Sequence, residues 1–311
     1  MRKPSFLNWA GQRVLAIYDG MNDVNKSAIA NETYDELCLF AGDWEDLSHF
    51  STVADKVRRL TVTARGRVDI GAIVHLTGLR YLRLNEGYEA VAPKLVFDFS
   101  SLIHLEECYI GWQKNYSTNL FDCPKLASLT IWQYHSQGLG DIARAAGLRS
   151  LDISDSPLVN LAGIEQLSHL EALRLGPLRK FEDLSGVENV ASLTSIAIQK
   201  CPKLSDLSSI YRAKGLQRFT LNSKFPVADL EFFSCLPNLR EFIFDCQVVK
   251  QDFTPLFKLR KLRLGRFLSL RDFTATDDEL GDLARQAGRT MTLEVLGRGR
   301  KEQTVTFSFE D

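Results

Sequence analysis

Six cysteines in 311 residues are few, and no two of them form a CxxC pair. Cys38, Cys108, Cys123, Cys201, Cys235 and Cys246 mostly sit in apolar contexts. That is the pattern of reduced, buried thiols in a cytoplasmic protein, not of a disulfide framework. HExxH, GxSxG, P-loop and GxGxxG signatures are all missing, so the common metal, nucleophile and nucleotide motifs give no cofactor and no catalytic residue to name. No apolar run reaches the about 18 residues of a membrane span. The first ten residues carry basic side chains but no signal-like apolar run, and Gln12, Arg13 and Asp19 break up the next stretch. Three Asn-x-Ser/Thr triplets, at Asn25, Asn31 and Asn115, are then chance matches. A net charge of −1 gives no general pull toward nucleic acid or an anionic membrane.

What the chain does contain is a period. From Leu148 to Leu167, apolar residues fall at positions 1, 4, 6, 11, 14, 17 and 20, and the next unit opens at Leu170. Leu151 and Ile153 are two apart, as on one strand face; Leu158, Leu161, Ile164 and Leu167 are three apart, as along a tight helical or 3₁₀ segment. Such a unit cannot bury its apolar side alone and needs a copy on each side.

The LxxLxL form recurs with first positions at Tyr34, Val57, Leu79, Leu105, Leu126, Leu148, Leu170, Leu193, Leu216, Leu239 and Leu259. Steps of 20 to 26 residues separate these eleven units. His104 and His169 each precede a first-position Leu, which makes them equivalent bends of the repeat. The pattern resembles the leucine-rich repeat family, in its short class of about 22 residues, the bacterial-type or phosphatase-regulator-like kind. The resemblance implies an α/β solenoid: a curved array with a parallel sheet on the concave side and 3₁₀ or short helices on the convex side. One departure stands out. Position 9, usually Asn in that family, holds Gly42, Arg65, Gly87, Gln113, Tyr134, Ser156, Leu178, Cys201, Lys224, Gln247 and Phe267. Irregular turns after the strands are therefore expected.

The chain reads as three parts: an N-terminal cap over 1–33 with a strand near 13–18, the repeats over 34–270, and a C-terminal cap over 271–311. Gly140–Gly147 echoes Gly281–Gly288, each an alanine-rich helical run closed by Gly before a strand. Thr276 is placed to cap a helix opening at Asp277. Met291, Leu293 and Val295 read as a twelfth strand. After the turn at Gly297–Lys301, Val305, Phe307 and Phe309 complete a hairpin that covers the end of the stack.

In LxxLxL, positions 3, 5 and 7 face outward, and equal positions in neighbouring units form ladders about 4.8 Å apart. Units three to five put Tyr81, Arg83, Tyr109, Trp112, Trp132 and Tyr134 near that face. They form either a contact surface or the floor beneath a folded-over 85–103 segment. Asp152 and Arg174 offer both signs on adjacent strands. Acidic residues gather early (Asp35, Glu36, Asp43, Glu45, Asp46) and basic ones late (Arg260, Lys261, Arg263, Arg266, Arg271). The expected function is a non-catalytic, monomeric protein-binding module that holds a protein partner, with no nucleic acid and no membrane involved. A bacterial immunity protein or inhibitor masking a toxin or enzyme active site is the narrower alternative. An enzyme or small-ligand receptor using Arg83, Asp152, Arg174 or the basic end is the alternative of another class.

Overall fold

The computed structural model describes residues 2–40, 42–85, 89–90, 96–114, 116–297 and 301–310. Residues 86–88 and 91–95 of the expected 85–103 cover and residues 298–300 of the hairpin turn lie outside the described residues. The chain divides into two compact units, Met1–Tyr134 with Asp141–Leu151, and His135–Gly140 with Asp152–Asp311.

In the first unit, β1 (Ser5–Trp9) and β2 (Gln12–Ile17) form an antiparallel hairpin. Its two turn residues, Ala10 and Gly11, both have positive φ, the backbone that a two-residue hairpin loop requires. From β2 onward the strands run parallel: β3 (Glu36–Leu39), β4 (Arg59–Val62), β6 (Tyr81–Leu84), β8 (Glu107–Gly111) and β9 (Ser128–Trp132). A small side ladder pairs β5 (Arg67–Val68) with β7 (Glu89–Ala90). Leu15, Leu37, Leu60, Leu82, Cys108 and Leu129 stand opposite one another along the ladder, so position 4 is in register from the N-terminal strand onward. Each of these side chains is buried, which is worth about 1.5–3 kcal/mol apiece. Helix α1 (Asp23–Asn31) is capped by Asn22, and the buried Asn25 donates to the carbonyls of Tyr18 and Gly20.

Strand β10 (Ser150–Ser154) carries the division between the units. In the second unit, β11 (Ala172–Leu175), β12 (Ser195–Gln199), β13 (Arg218–Asn222), β14 (Glu241–Asp245) and β15 (Leu264–Arg271) are parallel, with Leu173, Ile196, Phe219 and Phe242 in line. Short 3₁₀ or α segments return the chain, including Ile164–Gln166, Val187–Asn189, α2 (Ser208–Arg212), Glu231–Cys235 and α3 (Thr254–Lys258). An Asx turn opens each of these five segments. Asn160, Asp183, Asp206, Asp229 and Asp252, each 23 residues from the next, accept from the backbone N–H two residues on at 2.8–3.0 Å.

The last repeat stands three residues later than its sequence pattern suggests. Phe242 pairs with Gly265 and Phe244 with Phe267, so the unit begins at Leu262 and restores a step of 23. Gly265 occupies the position usually filled by Leu. A Cβ there would lie 2.5 Å from the Phe242 ring, which fills the space instead. A glycine at a core position is invisible to an apolar pattern, hence the misplaced start at Leu259.

The turns after the strands are also more regular than expected. Gln133, Asp155 and Lys200, all at position 8, share a left-handed backbone with φ of 45–58°. The following side chains point inward: Tyr134, Ser156 and Cys201 are buried. Ser156 Oγ and Cys201 Sγ donate to the carbonyls of Ser154 and Gln199, so position 9 satisfies turn groups without Asn.

At the C-terminus, α4 (Asp277–Gln286) begins with the Thr276–Glu279 capping box, each side chain bonded to the other's backbone N–H. Strands β16 (Thr290–Leu296) and β17 (Glu302–Glu310) form the hairpin. It is β17 that pairs with β15, antiparallel, while β16 is outermost. Met291, Leu293 and Val295 therefore do not extend the parallel repeat ladder. Val305, Phe307 and Phe309 are buried instead, because β17 alternates strongly enough to close the apolar end.

Candidate functional site

The aromatic residues singled out in the sequence separate into two groups. Trp112 and Tyr134 belong to the core of the first unit. Trp112 stacks on Phe121 at 5.3 Å and meets Tyr116 and Tyr134 edge-on at 5.9 and 5.8 Å. Phe97 and Phe99 extend this cluster to Tyr116. Tyr134 is 0% exposed and Trp112 8%, so neither offers the exposed surface expected of it. Tyr134 is at position 9, which sits inside the stack, and Trp112, at position 8 of its unit, packs between Phe121, Tyr116 and Tyr134, a cluster that Phe97 and Phe99 of the preceding long unit extend. Trp44 is part of the core of the first unit as well. It is fully buried, with Nε1 donating to the Phe40 carbonyl.

Tyr81, Arg83, Tyr109 and Trp132 do lie along the outward strand face of β6, β8 and β9. Tyr81 is nearly covered, Tyr109 and Trp132 are half-buried, and Arg83 is exposed. The Tyr81 and Tyr109 rings are 5.4 Å apart. The Arg83 guanidinium is 5.8 Å from the Tyr109 ring centre, and its Nε donates to Asn85 at 2.9 Å. Burial raises the Tyr81 hydroxyl pKa above its ordinary value, and the charge of Glu36 adds to this.

Beneath and beside them runs an ion cluster that the repeat pattern does not single out. Arg59 lies 3.8 Å from the centre of the Tyr81 ring, with Glu36 at 3.7 Å and Glu107 at 3.5 Å. Glu36 is buried and accepts a 2.6 Å hydrogen bond from the Thr61 hydroxyl. Arg59 Nε makes no hydrogen bond, so its contact with Glu36 is ionic. The position-3 ladder reads Glu36, Arg59, Tyr81, Glu107. That alternation of sign around an aromatic was the available signal. One cation held between two carboxylates, under an aromatic ring, fixes Tyr81 in place.

In the second unit, Asp152 and Arg174 form the expected pair at 3.4 Å. Burial raises the Asp152 carboxyl pKa, and Arg174 lowers it in part. Arg174 stands opposite Ala197 on β12, and no aromatic accompanies it at the facing position. Arg263 is corrected by the three-residue shift. It precedes β15, its N–H donates to the Arg240 carbonyl, and its own carbonyl accepts from Phe309 N. The outward position of that unit belongs to Arg266, whose Nε donates to Thr306 Oγ1 at 3.3 Å. Several charges of the expected acidic and basic ends are paired locally: Glu45 with Arg67, and Arg271 with Glu302.

Among the described residues no group of three or more His, Cys, Asp or Glu side chains is placed to hold a metal ion. No helix among them is long and apolar enough to cross a membrane.

No family model and no curated protein sequence matches the chain. Solved structures do. An internalin from Listeria monocytogenes (inlF) is 17% identical with a TM-score of 0.58, over 88% of this chain and 84% of that one. A leucine-rich-repeat protein of Leptospira interrogans is 14% identical with a TM-score of 0.53, over 85% and 79%. A chain of the Toll–Spatzle complex of Drosophila is 14% identical with a TM-score of 0.59, over 87% of this chain and 43% of that one. With its LxxLxL strands in register and its short return segments, this chain has the leucine-rich-repeat fold.

Proposed function

We propose that the chain is a non-catalytic protein-binding module, and that the outward strand face of the first unit receives the partner. The observation that carries this is the split among its aromatics. Trp112, Tyr116, Phe121 and Tyr134 are spent on the core, while Tyr109 and Trp132 stay half-exposed on a rigid strand face beside an exposed arginine. Tyr, Trp and Arg are the side chains that contribute most when a protein surface is covered. They offer large contact area at small entropic cost, because Tyr109 and Trp132 sit on strands and Tyr81 is already clamped by Arg59. One of the similar structures is itself a complex of two proteins, in keeping with this use of the fold. The six cysteines are all free, which agrees with a cytoplasmic setting. Residues 1–33 and 271–311 serve as caps to the repeats.

The test is affinity capture from the native host with wild type and with Tyr109→Ala plus Trp132→Ala, then titration of the captured protein. Affinity should fall by at least about tenfold in the double variant. Unchanged affinity for every captured protein removes this face as the binding surface.

A further inference from the structure

We propose that the strand face of the first unit selects an acidic segment of its protein partner, with Arg83 as the selecting residue; this rests on the protein-binding reading of that face. Among the described residues, four charged side chains lie on the face: Glu36, Arg59, Arg83 and Glu107. Both carboxylates are drawn to one guanidinium, that of Arg59, at 3.7 and 3.5 Å. Glu36 is further committed to Thr61. Nothing of the kind holds Arg83. Among the described residues no carboxylate comes within 4 Å of its guanidinium, and its Nε is held by the neutral amide oxygen of Asn85. Arg59 is three-quarters covered and Arg83 is exposed. The face therefore has one internally neutralised cation and one cation turned outward.

The neighbours of Arg83 fit a carboxylate ligand. Tyr109 is its register partner on β8, close enough to support the planar guanidinium from the ring side. Thr61, its partner on β4, is buried and already donates to Glu36, so it does not compete. The side-chain hydrogen-bond partners of Arg83, the Asn85 amide oxygen and the Tyr81 hydroxyl, are both uncharged, and a guanidinium has five N–H donors, so donors remain for a charge-assisted pair with a side-chain carboxylate. Next to it, Tyr109 and Trp132 offer apolar area for the residue adjoining that acid. The partner chemistry is thus an aspartate or glutamate flanked by an apolar residue.

The experiment pans a phage library of random peptides of about 12 residues on the full chain, then measures labelled selected peptides by fluorescence anisotropy. The expected result is enrichment of Asp or Glu beside apolar residues. Binding should weaken at least about tenfold in Arg83→Glu and in Tyr109→Ala, and less than that in Arg83→Lys, which keeps the charge. Near-UV circular dichroism checks that each variant folds. Neutral or basic peptides that need Tyr109 yet tolerate Arg83→Glu overturn the acidic selection and leave the face in place. Peptides indifferent to both substitutions, or no enrichment at all, overturn the face and the selection with it.

Discussion

The indole edge of Trp132 rests on the backbone of Gly111. A Cβ at residue 111 would stand 2.5 Å from Nε1 and 2.8 Å from Cε2. The two residues are register partners on β9 and β8, so the absent side chain of one is the seat of the other. Trp132 Nε1 is covered there without a hydrogen-bond partner.

Gly111→Ala should lift the indole from this seat. The substitution is expected to cost about 1–3 kcal/mol of stability and to expose the ring further. Tryptophan emission of the folded variant should shift to longer wavelength, while Trp132→Phe should remove that shift. Unaltered emission would mean that Trp132 does not need the glycine.

Gly265 and Phe242 make the same kind of pair inside the core, with the ring 2.5 Å from where a Cβ would be. Gly265→Ala alone should destabilise by about 1–3 kcal/mol. In a Phe242→Leu background the added methyl has room, so its cost should fall toward zero. A double-mutant cycle by urea denaturation measures this, and strict additivity would count against the placement of the last repeat.

These two glycines also mark where the sequence was legible and where it was not. The registers of β3, β4, β6, β8 and β9 and of β11 to β14 could be read, because Leu, Val, Ile, Phe or Cys at positions 4 and 6 must alternate to bury one face. That of β15 was lost when Gly265 let a neighbouring ring take its place. Tyr134 and Trp112 were misplaced for a related reason. The burial of Tyr134 follows a left-handed turn at Gln133, a non-glycine residue whose backbone state no local pattern signals, and Trp112 is covered by Tyr116, Phe121 and Tyr134, which come from outside its own strand. The Arg59 cluster depends on side chains from four strands, so only the ladder as a whole could have revealed it.

Asp152 should make stability depend on pH. Burial raises its carboxyl above the ordinary 3.8, with Arg174 opposing. A carboxyl raised in the folded state binds its proton more tightly there than in the unfolded chain. The folded state is thus favoured below 3.8 and loses that advantage as pH rises through the folded value. Asp152→Asn removes the penalty. Its urea midpoint should exceed that of wild type at pH 7, by less than about 1 kcal/mol because the pair is partly solvated. The difference should vanish at about pH 3. A variant less stable at pH 7 would show that the Arg174 pair outweighs desolvation.

The thiols report the core directly. Cys235 is exposed, and the other five are buried. Burial pushes Cys38 and Cys246 up to about 12 and Cys123 and Cys201 to about 11, with Cys108 higher still. A thiol reagent at pH 8 should label one cysteine quickly in the folded protein and all six in urea. Cys235→Ser should abolish the fast reaction. Rapid labelling of Cys38 would instead mean that the β3–β4 face opens.

The most direct measurement on the binding face is site-specific photo-crosslinking. A benzophenone amino acid is placed at Tyr109, and in a control chain at Ser51 on the exposed 3₁₀ segment Ser48–Thr52 of the same unit. Irradiation with the captured partner should give a crosslinked species from position 109, suppressed by Arg83→Glu, and none from position 51. Crosslinking from position 51 with none from 109 would contradict the assignment of the partner to the strand face.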